Sequence, residues 1–228
     1  MEQTQKQPLY ELLHHPHIWR ACEQNNRTKT ISTGHAQLDE CLPGGGWPAD
    51  SLSEVLLDRR GQGELRLLLP LLVQLSQRDD DRCLVWVAPP WVPYAPALAA
   101  AGLNLTRLLI VHADIDEEVM WATEQSLRSG SCAAVLSWSS HATVAVLRRL
   151  QLAASEGGTL GILFRPPDAS KMASPAALRL LLGQTPTGLA IKILKTRGGK
   201  PATIHLPLGS AHTREISRKG SCRRGGFR

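Results

Sequence analysis

Short apolar runs alternate with helix-length segments through the centre of the chain, and this alternation limits the folds that are open to it. The runs lie at residues 52–57, 83–88, 108–111, 133–136 and 160–164. Segments long enough for helices lie between them, at residues 66–75, 94–101, 115–129 and 141–155. Strands that are separated by helices favour a mainly parallel, doubly wound sheet. We therefore predict an α/β fold.

The C-terminal part of this region follows a different pattern. Residues 188–196 and 202–206 alternate apolar and polar side chains, and Arg197-Gly198-Gly199-Lys200 joins the two runs. Alternation with a period of two indicates strands with one exposed face, and a short glycine-containing connection favours a hairpin. The sequence thus predicts an antiparallel hairpin that is added to the edge of the sheet.

Differences in composition divide the chain into three segments. In residues 1–29, apolar residues at helical spacing are interrupted by Pro16, which indicates an attachment of two short helices. Residues 30–209 contain the α/β core. Residues 210–228 are basic and rich in glycine, and we expect this tail to have no fixed structure because it holds too few apolar residues to bury.

The formal net charge of +6 is concentrated in the basic tail. Six basic residues between His212 and Arg228 stand against Glu215, and the rest of the chain is nearly neutral. Such a tail either solubilises the protein or acts as an electrostatic arm for the phosphates of DNA. The residues that we predict to contact DNA lie in the hairpin and the tail: Lys192, Lys195, Arg197, Lys200, Arg214, Arg218, Lys219, Arg223, Arg224 and Arg228.

The cysteines and the hydropathy pattern indicate a cytoplasmic protein. The five cysteines are scattered and form no C-x-x-C motif, which favours reduced thiols over disulfides or a zinc site. No apolar run reaches the roughly 18 residues that a membrane helix needs. The polar N-terminus also lacks the apolar core of a signal peptide. We therefore expect no membrane partner.

The segment at residues 55–75 has the layout of a phosphate-binding loop, in which a strand is followed by a glycine-containing turn and a helix. A functional loop ends in a lysine that contacts phosphates and a hydroxyl residue that holds Mg²⁺. Here Glu64 and Leu65 occupy those positions, and Asp58 replaces the first glycine. The glycines that remain are Gly61 and Gly63. A carboxylate opposes an anionic ligand, so we predict a degenerate site with no cofactor, no metal ion and no catalytic residue.

Three motifs ahead of this loop resemble the beginning of the ATPase core of RecA-type recombinases. They are Ile31-Ser32-Thr33-Gly34, Leu38-Asp39 and Gly44-Gly45-Gly46-Trp47-Pro48, and the similarity extends over residues 30–207. The resemblance implies a RecA-like fold. The acidic positions of that family are lost, because Pro89 stands where its catalytic glutamate is expected and Ser137 where its Walker B aspartate is expected. We therefore expect that the chain is not an enzyme.

Among RecA relatives without a working phosphate loop, the chain is most similar to the ImuA group. The Ser32-Thr33-Gly34 and Leu38-Asp39 motifs, the Gly44–Pro48 turn and the chain length carry that similarity. It implies a non-catalytic accessory of an SOS-induced, error-prone translesion DNA synthesis complex. The implied partners are ImuB, which is an inactive Y-family polymerase-like protein, and indirectly a DnaE-type polymerase. Contacts with RecA and with single-stranded or primed DNA stay open.

The related SulA group of division inhibitors, which bind FtsZ, is the alternative resemblance. A protein-binding inhibitor explains a scaffold without an active site, but it gives the basic tail no role. An adaptor that also contacts DNA explains both features. We therefore prefer the accessory interpretation and keep the division inhibitor as the second one.

Overall fold

A computed structural model describes residues 29–61 and 63–207 of the chain. The predicted N-terminal attachment therefore falls outside the described residues, except for Lys29. The basic tail and all its proposed DNA contacts, from Arg214 to Arg228, also lie outside them. Structural statements below refer to the described residues.

A mixed sheet of eight strands forms the centre of the molecule. In chain order the described residues form ten strands: β1 (Thr30–Ile31), β2 (Trp47–Pro48), β3 (Leu52–Leu57), β4 (Cys83–Val87), β5 (Leu108–Val111), β6 (Cys132–Trp138), β7 (Leu160–Arg165), β8 (Leu178–Thr185), β9 (Gly188–Thr196) and β10 (Ala202–Pro207). The large sheet has the order β10-β9-β8-β3-β7-β6-β4-β5, while β1 and β2 pair separately. Strands β3 to β8 pair in parallel, and β9 is antiparallel to β8 and to β10. The predictions of a mainly parallel α/β sheet and of a C-terminal antiparallel hairpin are confirmed.

Five α-helices connect or flank these strands in the described part of the chain. They are α1 (Ala36–Cys41), α2 (Glu64–Ser76), α3 (Ala95–Ala100), α4 (Asp116–Arg128) and α5 (Val144–Gly157), with 3₁₀ turns at Leu105–Arg107 and Pro167–Lys171. None of these helices is long and apolar enough to cross a membrane.

The start of α5 corrects one sequence-based expectation. The sequence predicts that this helix begins at residue 141, but its N-cap is Thr143. The Thr143 hydroxyl accepts a hydrogen bond from the backbone N–H of Val146 at 3.4 Å. Ser139 instead continues from the end of β6, where its own N–H donates to the carbonyl of Phe164. The helix therefore begins three residues later than predicted.

The sheet separates two apolar layers. On one face, α2 buries five leucines against the central strands: Leu67, Leu68, Leu71, Leu72 and Leu75. On the other face, α4 and α5 pack through residues such as Val119, Leu127, Leu147 and Leu150. Because β3, β6 and β7 are covered on both faces, every residue in them is buried. This burial explains why their sequences read as continuous apolar runs.

Strand β8 was not predicted, and it changes how the hairpin joins the sheet. Sequence reasoning assigned no element to residues 166–187. In the structure a 3₁₀ turn follows β7, and β8 pairs in parallel with β3. The hairpin of β9 and β10 is therefore attached through β8.

Candidate functional site

The loop predicted as a degenerate phosphate site lies at the carboxyl end of β3, immediately before α2. In open α/β sheets, ligands usually bind outside the carboxyl ends of the strands. A cleft of about 190 Å³ occurs here between the ends of β3, β6 and β7. Its lining includes Asp58, Arg60, Ser139, Ser140 and Phe164. The chemistry of the loop decides what this region can bind.

Glu64 closes this loop from within. Its side chain is buried, and its Oε1 accepts a hydrogen bond from the backbone N–H of Gly61 at 2.6 Å. In a phosphate-binding loop, such backbone N–H groups face the anion. Here a carboxylate of the chain itself takes the N–H group, and the N-terminal end of the helix dipole stabilises its charge. The Gly61 N–H group is therefore already occupied by Glu64 and is not free to bind an anion.

Gly63, the N-cap of α2, allows the tight approach of this loop to β9. Its φ of 104° lies in the left-handed region, which L side chains rarely adopt. A Cβ at this position would come within 3.1 Å of the Leu189 side chain. The remaining glycines of the loop thus serve its conformation and packing.

The two other altered loop positions are Leu65 and Asp58. The Leu65 side chain packs partly buried against the core. The carboxylate of Asp58 is largely exposed and lies 3.9 Å from the Arg59 Nε. Neither residue supplies a cation or a hydroxyl to the space beside Glu64.

Ser137 and Pro89 occupy the positions predicted for the lost acidic residues. Ser137 is fully buried, and its Oγ accepts a hydrogen bond from the Thr123 hydroxyl of α4 at 2.8 Å. It therefore faces the α4 side of the sheet, opposite to α2. Pro89 follows Ala88, whose φ of 50° is the one left-handed non-glycine conformation among the described residues. The structure does not bring Ser137 and Glu64 together.

Stacked aromatic rings lie beneath the cleft. The rings of Trp138 and Phe164 are parallel within 21° at a centroid distance of 4.6 Å, and Trp86 meets Trp138 edge-on at 6.1 Å. Trp86 and Trp138 are both buried. Both tryptophans therefore pack within the core.

A buried ion cluster on the α4 and α5 face was missed by the sequence reasoning. The two carboxylate oxygens of Glu54 lie 2.7 Å from Arg165 Nη1 and 2.7 Å from Arg179 Nε. Arg165 also donates to the carbonyl of Ala142, and Arg179 donates to the carbonyls of Ala169 and Met172. The available signal was a charged residue inside each of three apolar strands. This cluster attaches the segment that follows β7 to the sheet.

The four hairpin cations predicted to contact DNA are all exposed: Lys192, Lys195, Arg197 and Lys200. Lys195 Nζ donates to the carbonyl of Ser174 at 2.7 Å. Partial burial of its ammonium group, together with the nearby charges of Arg179 and Arg197, lowers the pKa of Lys195 from its ordinary value. The hairpin is therefore a region of concentrated positive charge.

Comparison with known proteins identifies relatives of this chain. The family model described as cell division inhibitor SulA matches residues 51–161. Protein ImuA of Caulobacter vibrioides is 28% identical over 206 residues, covering 78% of this chain and 84% of the relative. SulA of Yersinia pestis is 31% identical over 129 residues, covering 56% of this chain and 76% of the relative. The crystal structure of SulA from Pseudomonas aeruginosa is 32% identical and covers 52% of this chain and 99% of its own, with a TM-score of 0.44.

The fold and the closed loop define a mixed α/β protein in which the central strand β3 is followed by a loop and by α2, with the Glu64 carboxylate hydrogen-bonded inside that loop. The chain belongs to the SulA family. It is also a homologue of ImuA, and that similarity extends over more of the chain than the similarity to SulA does. The resemblance to ImuA and SulA that the sequence motifs indicated is confirmed.

Proposed function

We propose that this chain is a non-catalytic accessory of an SOS-induced, error-prone translesion DNA synthesis complex. One observation carries the non-catalytic part of the proposal: the Glu64 carboxylate accepts the Gly61 N–H inside the loop. A nucleotide would have to displace this buried carboxylate and bring its phosphates beside a negative charge. The homology to ImuA over 78% of the chain supports the accessory role.

The scaffold in this proposal is a RecA-like core that has lost its ATPase residues. The central β3–loop–α2 unit and the mainly parallel sheet are consistent with this origin. Glu64 and Leu65 stand where a working loop has its lysine and its hydroxyl residue, and the Ser137 hydroxyl is hydrogen-bonded to Thr123. The protein then acts through binding rather than through nucleotide turnover.

The proposed protein partners are ImuB and, through it, a DnaE-type polymerase, with RecA as a further candidate. Single-stranded or primed DNA is the proposed nucleic-acid partner, because its phosphates complement the cations of the hairpin and the tail. The alternative is a SulA-like division inhibitor that binds FtsZ. The SulA family match over residues 51–161 favours keeping this second function.

Co-purification tests the two functions against each other. The tagged full-length chain is expressed with ImuB or with FtsZ from the same bacterium, and complexes are measured by size-exclusion chromatography with light scattering. We expect a stoichiometric complex with ImuB. A complex with FtsZ and none with ImuB would transfer the assignment to the division inhibitor. Absence of both complexes would refute the protein-binding proposal.

A further inference from the structure

The C-terminal part of the described chain is unusually poor in negative charge. Residues 169–207 contain six lysines or arginines and one histidine, but no aspartate or glutamate. Strands β8, β9 and β10 all lie within this segment. Any carboxylate that neutralises these strands must therefore come from another part of the chain.

A bulge in β9 brings two of the lysines to the same face of the sheet. Lys192 pairs with Leu181, and Lys195 pairs with Arg179, because the register shifts between Arg179 and Leu180. Residues Arg179 and Leu181 are two apart on β8 and therefore share a face. Without the bulge, a separation of three residues would place the two lysines on opposite faces.

This face of the hairpin is open. Thr203 lies opposite Lys192 on β10, and His205 lies opposite Ala190, so both belong to the same face as the lysines. Lys192, Lys195, Thr203 and His205 are all exposed. The other face of the same strands is buried through residues such as Ile191 and Ile204. The hairpin thus presents one apolar face to the core and one basic, polar face outward.

The positive charge of this face is only partly neutralised within the described residues. Glu54 contacts Arg179, but it shares its charge with Arg165. Lys195 is held by the neutral carbonyl of Ser174 rather than by a carboxylate. The lowered pKa of Lys195, which results from burial and from the charges of Arg179 and Arg197, agrees with a local excess of cations. An anion bound here would relieve that repulsion.

We propose that the open face of β9 and β10, formed by Lys192, Lys195, Thr203 and His205, binds the phosphodiester backbone of single-stranded DNA. This inference rests on the DNA contact in the proposed function and adds Thr203 and His205 to it. The lysines supply charge, while the hydroxyl and the imidazole supply hydrogen bonds to phosphate oxygens. Residues 169–207 contain no phenylalanine, tryptophan or tyrosine on which a base would stack. The binding is therefore independent of base sequence.

A charge-removal experiment measures this contact in the full-length protein. Binding of a fluorescent oligothymidylate is followed by anisotropy at several salt concentrations for the wild type and for Lys192→Gln/Lys195→Gln. Each lost phosphate contact makes the log–log salt slope shallower by about 0.7 on single strands. We therefore expect a slope shallower by about 1.4 for the double variant. The control Lys29→Gln/Arg148→Gln removes two exposed charges elsewhere and should retain the wild-type slope.

A gain-of-charge variant keeps the test independent of folding defects. Thr203→Lys adds a cation on the open face and should steepen the slope by about 0.7, whereas Gln125→Lys on α4 should not. The proposal is overturned if the double variant and its control have equal slopes, or if Thr203→Lys leaves the slope unchanged. It is also overturned if polyglutamate of equal charge displaces the oligonucleotide as well as DNA does. If these variants still bind ImuB, a negative result refutes only the DNA-binding face and leaves the proposed accessory function standing.

Discussion

Replacing Glu54 with glutamine removes the carboxylate that pairs with both Arg165 and Arg179. The side chains of these three residues are 0%, 2% and 7% exposed, respectively. The substituted amide retains an acceptor oxygen but no charge, so two guanidinium groups stay buried without a counter-ion. Both arginines also hold backbone carbonyls of the segment that follows β7 or precedes α5. The substitution therefore weakens the attachment of those segments as well.

Breaking a buried ion pair by removing one partner costs about 3–5 kcal/mol. In a protein of this size each kcal/mol lowers the melting temperature by about 2–4 °C, so we expect a decrease of about 6–20 °C. The matched control is Glu124→Gln. The arginines that pair with Glu124, Arg128 and Arg149, have side chains that are 40% and 60% exposed. Pairs with exposed partners contribute about 1 kcal/mol or less.

Urea unfolding followed by tryptophan fluorescence measures both variants, because Trp86 and Trp138 are buried and report loss of the core. The free energy of unfolding should fall by about 3 kcal/mol or more for Glu54→Gln and by about 1 kcal/mol or less for Glu124→Gln. Equal and small losses for the two variants would refute the reasoning that Glu54 neutralises a buried cluster.

Three further predictions concern pH, packing and the basic tail. Hydrogen bonding to Arg149 lowers the pKa of Glu124, so its stabilising effect is lost as pH falls below about 4.3, and the wild type and Glu124→Gln should converge in acid melts. Gly188→Ala should lower stability by about 1–3 kcal/mol, because its Cβ would overlap the Leu206 carbonyl oxygen, whereas Gly183→Ala should be tolerated in urea unfolding. Truncation at Ser210 should flatten the salt slope for DNA by about two to three units with little change in the melt; an unchanged slope would exclude the tail.

The sequence predicted most of the fold because its signals are local and periodic. The strand at residues 52–57 and the helix at 115–129 were identified from apolar spacing and ended within one residue of the observed elements. The hairpin was identified from alternation and from the connection at residues 197–200. These signals depend on neighbouring residues, and the structure confirms them.

The features that sequence reasoning missed depend on contacts between distant residues. Strand β8 carries an arginine that is tolerated only because Glu54, far away in the chain, lies beside it. The stacking of Trp138 on Phe164 joins two strands that are separated by α5. The sequence predicted a loop altered at Glu64, but it did not reveal that this carboxylate bonds to Gly61. The pattern of neighbouring residues does not indicate contacts between residues that are far apart in the chain.

Titration calorimetry with Mg·ATP tests the central claim most directly, because the account requires that the loop closed by Glu64 does not accept a nucleotide. Full-length protein is titrated to millimolar Mg·ATP, and the heats are compared with those of buffer alone. We predict a flat titration for the wild type. Saturable binding of Mg·ATP, particularly if Glu64→Gln strengthened it, would contradict the claim and restore a nucleotide-dependent function.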